Sequence, residues 1–189
     1  MKTNIALVGF MGAGKSTIGK ALADRLNKAF VDTDDLVQER LGTSISQAFA
    51  VPGEQFFRQV EARVIENVAG MDNVVIAVGG GAVENARVRD VLRGHCTVVL
   101  LTVDIATILE RTEGMTGRPL LDGFDPEEKR ARIIELMHSR ASAYNQVYDI
   151  VVDASGNVES AVEAITSRIP GVQDERTMPA GGSAECQER

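Results

Sequence analysis

Asn4-Ile5-Ala6-Leu7-Val8-Gly9-Phe10-Met11-Gly12-Ala13-Gly14-Lys15-Ser16-Thr17-Ile18 reads as a short strand, a glycine-rich turn and the start of a helix. Within it, Gly9 to Ser16 satisfies G-x-x-x-x-G-K-[ST] in full, in the strand-then-helix context that gives the pattern its meaning. Glycines let the backbone turn so that successive N–H groups point inward at phosphate oxygens. The helix N-terminus adds partial positive charge. Lys15 has the reach for β and γ phosphates, and the Ser16 hydroxyl suits Mg²⁺. The motif therefore implies a nucleoside triphosphate and Mg²⁺, and leaves the phosphoryl acceptor open.

Outward from this loop, further β-branched runs recur: Val74 to Val78, Thr97 to Leu101 and Ile150 to Val152, with Phe30-Val31-Asp32 weaker. Uninterrupted apolar runs of this length suit strands covered on both faces. Between them the period is helical. Ile18, Leu22 and Leu26 recur first, then Phe56, Val60, Val64, Ile65 and Val68. Shorter runs follow after Gly81 and after Thr102, and a long one from about Pro126 to about Tyr144 starts behind Asp125. Val158 to Ile169 is the last. Strands alternating with helices predict an α/β fold, a parallel sheet flanked by helices, without giving the strand order. Residues 171–189 are rich in Gly, Pro, Ser and charge and are expected to be a disordered tail after a single domain spanning 1–170.

The 189 residues carry 20 basic and 27 acidic side chains, a net charge of −7, which disfavours an electrostatic grip on nucleic acid or anionic membrane. No apolar run approaches the roughly 18 residues of a spanning helix. The N-terminus lacks a leader pattern, so a cytoplasmic location is expected. Two cysteines and two histidines give neither a disulfide framework nor a zinc site.

Four other features carry chemistry. Asp32-Thr33-Asp34 closes the second strand, where carboxyl ends of parallel strands face a crevice. One carboxylate there suits metal-bound water and the other a hydroxyl poised for attack, although Asp34 as the cap of a helix over Leu36 to Leu41 explains the spacing equally well. Gly79-Gly80-Gly81 follows the third strand and permits close ligand approach to backbone N–H groups, or simply a turn. Arg58 and Arg140 have the two-pronged geometry for a carboxylate, though each alone reads as a solvated helix residue. Gly114 to Gly123 has glycines at both ends, as a mobile flap needs, and carries Arg118, suited to stabilising a moving phosphoryl group. Arg111 precedes the flap and suits stacking on a purine.

Taken in order, Gly9 to Ser16, Asp32-Thr33-Asp34, Gly53-Glu54-Gln55-Phe56-Phe57-Arg58, Gly79-Gly80-Gly81, Arg111-Thr112 with Arg118-Pro119-Leu120-Leu121, and Arg140 with Tyr144 resemble shikimate kinases from about Ile5 to Arg168. The resemblance implies a P-loop kinase fold: a five-stranded parallel sheet of order 2-3-1-4-5, a substrate-binding subdomain and a mobile lid at about 112–124. It implies MgATP-dependent phosphorylation of the shikimate 3-hydroxyl, in aromatic amino acid biosynthesis. Lys15, Asp34 and Arg118 become catalytic candidates. Gly12, Ala13, Gly14, Lys15, Ser16, Thr17, Arg111 and Arg118 would hold ATP, with Arg111 on adenine. Asp34, Arg58, Gly80, Gly81 and Arg140 would hold shikimate. Ser16, and Asp32 through water, would hold Mg²⁺. ATP and shikimate are the expected partners, and a monomer the expected state. One departure from some members of that family is the absence of proline in Asp153-Ala154-Ser155-Gly156-Asn157-Val158, the loop that would close on adenine. The alternatives are a gluconate-type or other small-metabolite kinase of the same fold and a catalytically silent nucleotide-binding module. The small aromatic content weighs against a nucleobase-bearing acceptor.

Overall fold

The computed structural model describes residues 2–113, 120, 121 and 123–169. Arg118, the greater part of the expected lid and the expected tail at 171–189 lie outside the described residues.

Five strands, β1 (Asn4–Gly9), β2 (Ala29–Asp32), β3 (Val74–Ala77), β4 (Cys96–Thr102) and β5 (Ile150–Asp153), form one parallel sheet in the order β2-β3-β1-β4-β5. Because side chains alternate along a strand, β1 feeds two cores. Ala6 and Val8 join Ile76, Val98 and Leu100 on one face. Ile5 and Leu7 join Val75, Val99 and Leu101 on the other. Every residue of β1 is buried, as the unbroken apolar run requires.

Helices α1 (Lys15–Leu26), α2 (Thr33–Leu41), α3 (Ile45–Ala48), α4 (Glu54–Ala69), α5 (Ala86–His95), α6 (Ile105–Thr112), α7 (Pro126–Asn145) and α8 (Val158–Thr166) cover the sheet. Residues of α1 and α8 complete the core holding Leu7; α4 and α5 complete the core holding Val8. Asp125 caps α7 through the N–H groups of Glu127 and Glu128, with Pro126 as the first helical residue. A smaller cluster of Phe10, Ile108, Leu121, Ile133 and Leu136 packs α6 and α7 against the glycine-rich loop.

Two local expectations change. By its period Phe56 belongs to the apolar stripe of α4, yet it is exposed, and Phe57 is the buried neighbour. The turn at Phe49–Gly53 sets the entry phase of α4, and helical periodicity alone could not choose between adjacent phenylalanines. The helix cap after β2 is Asp32 rather than Asp34: Asp32 Oδ1 accepts the Asp34 N–H at 3.0 Å, which places Asp34 in the first turn of α2. Cys96 is fully buried in the core, where burial pushes its thiol up to about 12 and leaves it inert.

Candidate active site

The carboxyl ends of β1, β2 and β3 deliver three loops to one edge of the sheet. β3 lies between β1 and β2, so the aspartates meet the glycine run first. Gly14 begins α1 at φ 84°, a conformation costly for any side chain. Lys15 Nζ donates to the carbonyls of Gly9 at 2.9 Å and Phe10 at 3.0 Å, holding its charge over the mouth of the loop. Ser16 Oγ donates to Asp32 Oδ2 at 2.5 Å. A hydroxyl and a carboxylate so placed are hard oxygen ligands of the kind Mg²⁺ takes beside phosphates and water.

A cavity of about 460 Å³ opens here, lined by Gly12, Gly14, Lys15, Ser16, Thr17 and, across from them, Arg111, Ala154, Gly156 and Val158. The Arg111 guanidinium donates to the carbonyls of Gly12 at 3.2 Å, Ala154 at 3.0 Å and Ser155 at 3.3 Å. It ties the glycine-rich loop to the loop after β5 while lining the cavity. Ala154, Gly156 and Val158 form the wall on that side. Ala13 is buried, and its N–H turns back to the Phe10 carbonyl.

A second, smaller cavity of about 70 Å³ adjoins it, lined by Phe49, Phe57, Arg58, Glu61, Gly81 and Arg140. Met11, Asp34 and Gly80 line both cavities. The structure therefore brings together Asp34, Arg58, Gly80, Gly81 and Arg140, from four separate stretches of chain.

Among the described residues, each cation of the smaller cavity is held by a carboxylate. Arg58 donates through NH1 to Glu61 at 2.9 Å and through NH2 to Glu54 at 3.2 Å. Its guanidinium lies 5.5 Å from the ring centres of both Phe49 and Phe57. Burial opposes the Arg58 charge, but Glu61 and Glu54 outweigh it and hold its pKa above the ordinary value. Glu61 is only 3% exposed. Burial pushes its pKa up; Arg58 offsets part of this, and Asp34 adds to the rise. Arg140, also buried, donates Nε–H to Glu84 at 2.7 Å and lies over the Phe10 ring.

The glycine run is packed on both sides. A Cβ on Gly79 would fall 2.6 Å from a Glu61 carboxylate oxygen and 2.7 Å from Asp34 Oδ1; one on Gly81 would fall 2.5 Å from the Arg58 guanidinium. The Gly79 N–H donates to the Thr33 hydroxyl at 2.9 Å, and Tyr144 donates to the Gly80 carbonyl at 2.7 Å. Glu61, Glu84, Phe49 and the Thr33 hydroxyl escaped the sequence reading. Glu61 had a usable signal, standing three residues after Arg58 on one helix face. Glu84 had none, being paired with a residue 56 positions away.

The Glu61–Arg58 pair has a consequence for pH. The folded-state pKa of Glu61 is raised, so between its unfolded and folded values the folded form binds more protons and stability falls as pH rises. Removing Arg58 widens that window. Calorimetric melting of Arg58→Ala against the parent should show a deficit at pH 8 that shrinks as the pH falls to 5.5. Parallel profiles would mean that the Arg58 charge does not govern Glu61.

A family model described as shikimate kinase matches residues 11–170. A shikimate kinase of Halorhodospira halophila is 42% identical over 170 residues, covering 89% of this chain and 94% of that protein. Among solved structures, a shikimate kinase from Bacteroides thetaiotaomicron matches with a TM-score of 0.82 at 32% identity, over 87% of this chain and 96% of that one. One from Acinetobacter baumannii, solved in complex with shikimate, matches at 0.78 and 33%, over 87% and 93%.

Proposed function

Because the chain belongs to the shikimate kinase family, and so transfers a phosphoryl group from ATP to shikimate, we propose how its two cavities divide that work. The larger takes ATP and the smaller takes shikimate. The observation that carries this division is Asp34, which lines both and stands where a γ-phosphoryl group and an acceptor hydroxyl would meet.

In the larger cavity, N–H groups of the glycine-rich loop and Lys15 receive the phosphates, and Arg111 borders the base. Mg²⁺ would be held by Ser16 and, through water, by Asp32; bound there, it would neutralise phosphate charge. In the smaller cavity, Arg58 and Arg140 face the shikimate carboxylate, and Gly80 and Gly81 offer backbone close to the ring. The hydroxyl presented to Asp34 is the 3-hydroxyl. Asp34 orients it and takes its proton as the oxygen attacks in line. Arg118, from the lid, enters on the resemblance alone as a further counter-charge.

Arg58→Ala is expected to raise the shikimate KM between about tenfold and a hundredfold, the loss of one charged hydrogen-bonding partner, with the ATP KM unchanged. A coupled assay offering shikimate, gluconate and nucleoside monophosphates side by side tests acceptor and clamp together. An unchanged shikimate KM removes Arg58 from the clamp. Gluconate turnover rivalling that of shikimate refutes the acceptor assignment.

A further inference from the structure

We propose that Glu84 is a positioning residue for the shikimate site: it holds Arg140 by its Nε–H and so aims the end of that guanidinium at the acceptor's carboxylate. The inference rests on the reading of Arg140 as part of the carboxylate clamp. The Arg140 side chain is 3% exposed, and a buried guanidinium without a counter-charge is strongly unfavourable. Glu84 supplies that charge at 2.7 Å. It engages Nε, the edge nearest the aliphatic stem, so NH1 and NH2 stay available as a pair. Among the described residues those two nitrogens have no hydrogen-bond acceptor, and Arg140 borders the smaller cavity. The Phe10 ring, 5.8 Å from the guanidinium carbon, limits its swing on another side.

The Glu84 side chain is 48% exposed, yet its backbone is fixed. It ends the short turn Ala82–Glu84 that continues directly from the glycine run. Arg89 of α5 donates NH1 to the carbonyls of Val83 at 2.7 Å and Glu84 at 3.0 Å. One turn further along α7, Tyr144 donates to the Gly80 carbonyl. Helix α7 is thus docked on the glycine segment at two points, and Glu84–Arg140 is the one that sets a substrate-facing group. Glu84 sits on the outer, wetter side of the pair, where water screens its charge from a carboxylate at the far end of Arg140.

The test is steady-state kinetics and melting of Glu84→Ala, Glu84→Gln, Arg140→Lys, Arg140→Ala and the double variant Glu84→Ala/Arg140→Ala. Glu84→Ala is expected to raise the shikimate KM about tenfold, with kcat and the ATP KM within twofold of the parent. Glu84→Gln keeps an oxygen for Nε–H and should recover most of the loss. In the Arg140→Ala background, Glu84→Ala should have no further effect. A shikimate KM that stays the same or falls in Glu84→Ala, while Arg140→Ala raises it, overturns the positioning role and leaves the clamp standing. An additive double variant, or kcat and both KM values moving together, also overturns it by marking a general structural effect. If Arg140→Ala and Arg140→Lys both leave the shikimate KM unchanged, the clamp reading itself fails.

Discussion

Turnover of shikimate by Asp34→Asn is expected to fall about 1,000-fold, with binding of ADP unchanged. The carboxylate sits in the first turn of α2. Its Oδ1 faces Gly79, and the residue lines both cavities. Asparagine keeps the shape and loses the base. Phosphoryl transfer has a loose transition state, so much of the acceleration comes from alignment rather than from proton removal. The size of the effect therefore separates two roles. A fall near 1,000-fold is the result expected if Asp34 accepts the proton. A fall of tenfold or less would leave it an orienting group only. Single-turnover kinetics, with ADP titrated separately, gives both quantities. Near-normal turnover would remove Asp34 from the chemistry.

Lys15→Met should lose a comparable factor in kcat, for a different physical reason. The ammonium bridges the carbonyls of Gly9 and Phe10 and stands over the loop that receives phosphate. Methionine has similar length and no charge, so the moving phosphoryl group loses a counter-charge in a site partly shielded from water. Two loop carbonyls also lose their donor. The expected result is a fall of about 100- to 1,000-fold in kcat, accompanied by weaker ATP binding. Titration of ADP, which lacks the γ phosphate, against ATP should show the larger loss for ATP. Equal losses for both would assign Lys15 to holding the loop rather than to the transferred group.

Much of the fold was legible in short stretches. Apolar runs such as Ile5 to Val8 and Val74 to Val78 can be satisfied only by burial on both faces, and they became central strands with every residue buried. Asp125-Pro126 announced α7, because the cap and the fixed proline φ act locally. Legibility failed where the deciding contact is distant. Phe56 and Phe57 are both compatible with the α4 period, and the turn at Phe49–Gly53 chose between them. The strand order came from the family resemblance; alternation alone left it open, since pairing between β1 and β3 is a contact across about 70 residues.

The same division runs through the site. Gly9 to Ser16 is a local device: its N–H groups, its lysine and its helix N-terminus are consecutive in the chain, so the chain alone carries the instruction to bind phosphate. Arg58 and Arg140 looked like ordinary helix residues, because nothing next to them says that they will be buried. Only the tertiary structure puts a charge in a low-dielectric wall and then obliges a carboxylate to meet it, Glu61 in one case and Glu84 in the other. Covalent neighbours settle which groups a short segment can offer; burial and cross-chain pairing settle which way those groups face, and they depend on every element packed around them.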